Sequence, residues 1–274
     1  MNSRNLKLVA YSLIFLIGCK ISAQEIVNIP LTDPSKPGVL KVKILSGGIT
    51  VKGTDTKEVL IKATIREEDK TYPKRKIKSN KKIEGLKRIS NKGLDFSVKE
   101  YINAIDLDSD RNGTTDFEIE VPKNFSLKLS TYNSGDIYVE DVNGHMDISN
   151  ANGKITLKDI SGAVIADALN KDITVNFVKV DADTPMAFSS LNGDIDITFP
   201  KSIKADVKIK SERGEIYTDF DLKMKKEKPN FTKSEYKNSG YRLKIEKWIS
   251  GSINGGGQEI LFKNYNGDVI IRSN

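Results

Sequence analysis

The stretch that decides the fold runs from Asn133 to Val178. Broken at its own repeat it reads NSGDIYVEDV (133–142), NGHMDISNA (143–151), NGKITLKDI (152–160), SGAVIADAL (161–169) and NKDITVNFV (170–178). Gly135, Gly144, Gly153 and Gly162 recur every nine residues, and Lys171 takes the fifth place. Three apolar columns keep the same step. The first is Ile137, Met146, Ile155, Val164 and Ile173; the second is Val139, Ile148, Leu157, Ala166 and Val175. The third is Val142, Ala151, Ile160, Leu169 and Val178.

Inside a unit the first two apolar positions are two apart, the period of a half-buried strand and not of a helix. The Asn-Gly or Ser-Gly pair between units is a tight-turn signal, because both residues tolerate positive φ. One strand plus one turn cannot bury its apolar face alone, but stacked units can, each column becoming a ladder inside the stack. The expected fold is all-β: a β-solenoid, a two-sheet roll or β-helix-like stack of roughly nine-residue strand–turn units, about two units to the coil. The motif returns at Ser46–Val51, Leu191–Ile197, Arg213–Tyr217 and Tyr265–Ile271. Val39–Leu45, Val59–Ile65, Phe117–Val121 and Ala205–Ile209 also alternate as strands, and no useful helix signal is present.

The N-terminus is built differently. Arg4 and Lys7 precede an apolar stretch, Leu8–Ile17, and Ser22-Ala23 then precede Gln24. This is the layout of a secretory signal peptide. Residues 1–23 are therefore read as a leader and 24–274 as one β-solenoid domain, exported to the periplasm, the outer-membrane surface or the medium. Leu16-Ile17-Gly18-Cys19 also matches a lipoprotein lipobox, with Cys19 as the acylated residue and the membrane as a partner only in that case. The 274-residue chain carries 44 Lys+Arg and 37 Asp+Glu, a net +7. The leader holds three basic residues (Arg4, Lys7, Lys20) and no acid, so the mature charge is +4.

The chain resembles the bacterial putative-adhesin, β-strand-repeat family, whose domain is of unknown function. The resemblance rests on Gly85–Ile89, Val121-Pro122-Lys123, Leu127–Thr131, the Asn-Gly-x-Ile repeats, Ser190–Ile195 and Arg213–Phe220. It extends from about residue 40 to the end. It implies an exported β-solenoid and no known enzymatic activity.

The chemistry-bearing residues are few. One Cys and one His leave no disulfide framework and no His or Cys zinc site. His145 lies at a turn with no evident partner and reads as a surface histidine. Ile105–Glu120 contains a partial calcium loop: Asp108, Asp110 and Asn112 stand at alternate positions and Gly113 follows. The required Glu is replaced by Ile119, which leaves Asp116 as a substitute ligand and a polar hairpin as the structural reading. A calcium-binding nonapeptide roll is excluded, because each turn carries one Gly instead of Gly-Gly-x-Gly-x-Asp. Asp136, Asp172, Asp194, Glu215 and Asp268 recur beside the turns, where a side-chain hydrogen bond into the turn is the expected role. The Asn column (Asn143, Asn152, Asn170, Asn192, Asn266) reads the same way.

Two basic runs remain. Lys70–Lys92 includes Lys74, Arg75, Lys76, Lys78, Lys81 and Lys82, and Lys223–Lys233 adds five more basic residues. Aromatics interleaved for base stacking are nearly absent, which argues against nucleic acid. Both runs read first as solvated loops, and the candidate partner, should they bind one, is an anionic envelope component or an acidic glycan. The expectation is thus a binding or scaffolding protein without cofactors. The alternatives are a carbohydrate-active lyase or hydrolase on a β-helix scaffold and an envelope signalling component. An enzyme of that kind needs acids clustered outside the repeat rule, and the sequence presents no such cluster.

Overall fold

The computed structural model describes residues 24–66, 94–109, 113–225, 230–236, 240–246 and 248–274. Among them the chain is all strand, bend and turn, with no helix. Among the described residues twenty strands join one hydrogen-bonded sheet, and β18 (Asn230–Tyr236) and β19 (Gly240–Glu246) form a separate two-stranded antiparallel sheet.

The repeat becomes β8 (Phe125–Asn133), β9 (Ile137–Glu140), β10 (Asn143–Asn150), β11 (Ile155–Ala168) and β12 (Ile173–Val180). All pair in parallel. Ile137, Ile155 and Ile173 lie in adjacent rungs, as do Leu127, Met146 and Val164. From Ile137 onward, neighbours in the central rungs are thus 18 residues apart, two nine-residue units to the coil, as the spacing predicts, while Leu127 and Met146 are 19 apart. The step then lengthens to 22, from Ile173 to Ile195 at the start of β14 (Ile195–Phe199). β13 (Met186–Asn192) stacks on the second half of β11 with the same step.

The 14-residue β11 belongs to two runs of strands. Its first residues pair with β9 and β12, and its last with β10 and β13. Both runs continue outward with strands that are not neighbours in sequence. β2 (Gly38–Ser46) and β3 (Ile49–Thr54) slot between the coil formed by β6 (Ala104–Ser109) and β7 (Thr115–Pro122) and the coil formed by β8 and β9. At the other end, the C-terminal β21 (Gln258–Asn266) and β22 (Val269–Ser273) slot between the β13/β14 coil and β15 (Ala205–Ser211) with β16 (Ile216–Thr218). β2 and β3 from the N-terminal part of the chain and β21 and β22 from the C-terminal part are therefore interior rungs.

Antiparallel strands finish the parallel ladder. They are β1 (Gln24–Pro30), β4 (Glu58–Ile65) and β5 (Phe96–Tyr101) at one end, and β20 (Ile249–Ile253) with β17 (Lys223–Lys225) at the other. An open parallel edge would template further pairing. Short or half-exposed antiparallel strands blunt it.

Buried side chains of both runs form one apolar cluster. The first two columns hold as expected: Ile137, Val139, Met146, Ile148, Ile155, Leu157, Val164, Ala166, Ile173 and Val175 are all buried. Each large aliphatic side chain among them stabilises the fold by about 1.5–3 kcal/mol. Aromatic stacks extend the ladder toward the C-terminus, Phe177 on Phe199 at 5.1 Å and Phe188 on Phe262 at 5.4 Å between centroids.

The third column departs from expectation. Val142 and Ile160 are buried, but Leu169 and Val178 face solvent. The cause is a parity change. Asp141 and Asp159 sit at φ 58° and 52°, and a register irregularity follows Leu157. This extra turn brings the next residue back inside at that corner. Asp tolerates the left-handed region better than most non-Gly residues. In unit 170–178 the strand runs straight, so Phe177 takes the inner place and Val178 points out. At the opposite corner Asn150 continues the alternation inward and Ala151 turns outward.

Of the four repeat glycines only Gly162 takes the positive φ expected of a tight turn, at 113°; the others are required for a different reason. A Cβ on Gly153 would lie 1.8 Å from the Gly135 carbonyl oxygen one rung away, so the stack itself demands glycine there.

Candidate binding surface

The turns are cross-linked rung to rung by side chains. Asn152 Nδ2 donates to Asn133 Oδ1 (3.3 Å), Asn170 to Asn152 (2.9 Å), Asn192 to Asn170 (2.9 Å) and Asn266 to Asn192 (2.7 Å). Asn143 stands at another corner and donates to Asn124 Oδ1 at 2.8 Å. A carboxylate ladder runs beside the amides. Asp136 accepts from the Lys154 amide (2.8 Å), Asp172 from Asp194 (3.2 Å), Asp194 from Asp268 (2.8 Å) and Asp268 from Glu215 (2.9 Å). The expected bond into a turn is present, but into the turn of the next rung. These acids stitch coils together, and their lone pairs are partly spent on backbone N–H groups.

One corner carries an apolar column outside the core. Ile44, Thr131, Asn150, Ala168, Ser190 and Asn264 are in register and face inward. The residues that follow them are Leu45, Tyr132, Ala151, Leu169, Leu191 and Tyr265, and the five large ones are 41–59 % exposed. Strands in a ladder lie about 4.8 Å apart, so the column runs roughly 24 Å along the stack. The Asn ladder flanks it, and the Arg213 guanidinium sits 5.3 Å from the Tyr265 ring centroid at one end. Scattered exposed apolar residues are ordinary, but a continuous stripe rimmed by polar groups has the composition of an interaction surface. The nine-residue period does not distinguish an outward column from an inward one, because only backbone parity at each corner decides it.

The outer face of the other run is a charge mosaic. Lys158 pairs with Glu140 at 2.6 Å, Lys62 with Glu118 at 2.9 Å and Arg272 with Asp196 at 2.9 Å. The Lys158 ammonium holds the Glu140 carboxyl below its ordinary range, and Glu140 raises Lys158 in turn. These are exposed pairs of modest worth.

His145 has a partner that the sequence did not reveal. Its Nε2 lies 3.1 Å from Asp181 Oδ2, across 36 positions of chain. Asp181 also accepts from the Thr184 hydroxyl at 2.8 Å and the Asp183 amide at 3.1 Å. The Thr184 hydroxyl, then the Asp183 amide and His145, hold the Asp181 carboxyl below its ordinary value. The pair ties β10 to the loop after β12. Among the described residues no nucleophile completes a triad with it, and no three His, Cys, Asp or Glu side chains converge as a metal site.

Of the calcium-loop candidates, Asp108 lies in β6 and Asp116 in β7, while Asp110 and Asn112 lie outside the described residues. Asp116 is engaged: Arg66 grips both its oxygens and the Gly48 amide donates to Oδ1 at 2.7 Å. Arg66 also donates to the Ser134 carbonyl. A cation taking Asp116 as ligand would have to displace Arg66. Lys74, Arg75, Lys76, Lys78, Lys81 and Lys82, and Cys19, lie outside the described residues. In the second basic run Lys223 is exposed, and Lys225 reaches Asp206 at 2.8 Å.

A parallel ladder with stitched turns is the class of structure this defines. The chain belongs to the Toastrack DUF4097 family, whose model matches residues 21–254. No curated protein is similar enough in sequence to match. A solved crystal structure from Clostridium sporogenes, described as a "putative cell adhesion protein", is similar over 93% of this chain and 100% of that one. The two are 12% identical and superpose with a TM-score of 0.44.

Proposed function

We propose that this chain is an exported, non-enzymatic envelope or surface protein. It binds or scaffolds along the long side of a rigid ladder whose two strand runs form the walls of a flattened roll. One observation carries the reading. The exposed column Leu45–Tyr132–Leu169–Leu191–Tyr265 offers a large apolar side chain on five of six successive rungs, Ala151 occupying the sixth, beside a ladder of amides. Weak contacts repeated on a rigid support add through effective concentration. The leader-like residues 1–23 support export, with Cys19 as the lipid attachment point should the lipobox be used. The basic run through Lys74–Lys82 would supply attraction to an anionic envelope component or acidic glycan.

The partner class that suits an apolar column flanked by amides is a linear glycan, whose pyranose faces are apolar and whose rims are hydroxyls. The test is a glycan array probed with mature protein, residues 24–274, alongside Tyr132→Ala/Tyr265→Ala. Saturable binding that weakens at least tenfold in the variant, with the glycan recovered intact, is the expected result. Released oligosaccharide would establish the lyase or hydrolase instead. Binding indifferent to both tyrosines would remove the column from the reading.

A further inference from the structure

A second feature lies at another corner, where the coil lengthens from 18 to 22 residues. The extra length lies in the loop after β12, and between that loop and the turn after β14 is a cleft of about 330 Å³. Its walls are Val178, Val180, Pro200 and Ile203, with Lys179 and Lys204 beside them. A smaller hollow shares Val180, Ala182, Ile203 and Lys204 and leads toward Met186 and Ile260. Val178 is 58% exposed, a large apolar side chain left in the open because its strand runs straight where earlier coils bulge.

The charge here is one-sided. Lys179 and Lys204 are both exposed, and among the described residues neither makes an ion pair. Asp181, which lines the smaller hollow, is occupied by His145, Thr184 and the Asp183 amide, and the Asp183 side chain next to it in the loop is exposed. An apolar floor with two unmatched ammonium groups at its rim is complementary to one kind of molecule. We infer that this cleft binds a free anionic amphiphile, a medium-chain carboxylate in type. The apolar tail lies on Val178, Val180, Pro200 and Ile203, and the head group is held between Lys179 and Lys204. The volume is at the small end of ligand sites, which suits one short chain and not a whole lipid. The site is separate from the Leu/Tyr column, so the two readings stand or fall apart.

The experiment is calorimetric titration of mature protein with decanoate below its micellar concentration. Decyltrimethylammonium is the opposite-charge control, and vesicles with phosphatidylglycerol form a third arm. Decanoate should bind saturably and the cation should not. The variant Lys179→Glu/Lys204→Glu, which alters only exposed side chains, should weaken decanoate about tenfold or more, the scale expected when two exposed attractions become repulsions. Val178→Asp should weaken it too, and circular dichroism should show both variants folded. Equal binding of anion and cation, or decanoate binding untouched by the charge reversal, would overturn the site. Binding to the vesicles with none to decanoate would overturn it as well, and would make the surface a membrane contact.

Discussion

Removing residues 258–274 tests the threaded topology directly. In a solenoid that follows its sequence, this would trim the last coil and leave the rest standing. Here β21 and β22 are interior rungs, between β13/β14 on one side and β15/β16 on the other. They bury Ile260, Phe262, Val269 and Ile271 at no more than 1% exposure. At about 1.5–3 kcal/mol per side chain, their loss removes roughly 6–12 kcal/mol. That is comparable to the whole stability of a typical domain, about 5–15 kcal/mol. It also leaves β15 without its parallel partner β21 and β16 without β22. Trp248, the sole tryptophan, reports on that end: Lys208 and Lys210 lie 5.1 and 5.7 Å from its ring centroid. Urea unfolding followed by Trp248 emission and far-UV circular dichroism is the assay. The truncated chain should show no cooperative transition and a solvent-exposed Trp248 in buffer. Deleting β1, residues 24–30, is the contrast, since only Ile29 of that strand packs partly against the core. That variant should keep a cooperative transition at a modestly lower midpoint. A 258–274 deletion that melts within a few degrees of the full chain would refute the threaded order.

Three further expectations follow from particular contacts. Asn170→Ala removes one bond given to Asn152 and one accepted from Asn192, and should cost about 1–2 kcal/mol by urea unfolding; a neutral effect would mean that the amide ladder contributes nothing to stability. Gly53→Ala would place a Cβ 2.0 Å from the Asp141 carbonyl oxygen, so one rung must shift, at about 1–3 kcal/mol or more, read as a lower melting temperature. Asp33 is held down to about 2, chiefly by the Ser35 hydroxyl and then by Lys36, and Asp181 and Glu140 are lowered too. A folded-state value below the unfolded one means that stability is fully present above about pH 4 and is lost as the pH falls toward 2. The urea midpoint should drop over that window, and Asp33→Asn should flatten part of the drop; a midpoint that rises on acidification would contradict the assignment.

Much of the ladder was legible because stacking demands identical things of every rung. The inner columns through Ile137 and Val139 need apolar β-branched or aliphatic residues, and the turns need Asn, Asp and Gly, so both survive as a nine-residue period. Gly153 shows where the reason differs from the expectation: it faces a carbonyl one rung away, and the same residue type serves both demands. The candidate surface was less legible. Leu169 and Ile160 occupy the same place in the period, yet one is outside and the other inside. Asp159 at positive φ makes the difference, and Asp at that place in a sequence does not announce its φ. His145 and Asp181 meet because they stand two 18-residue steps apart in one column, with the small side chain of Ala163 on the rung between them.

By itself, then, the sequence determined the strand–turn unit, the two-unit coil, the all-β class and the scarcity of catalytic side chains, because these follow from local period and composition. Only the tertiary structure decided the order of the rungs, the outward turn of the Leu/Tyr column and the unmatched lysines at the cleft. Rung order depends on which strand edges are left open when coils meet. Every edge of this ladder presents the same backbone donors and acceptors, so no residue names its neighbour. The C-terminal strands enter the stack where buried Ile and Phe columns line up, and that match exists only once the other coils are in place.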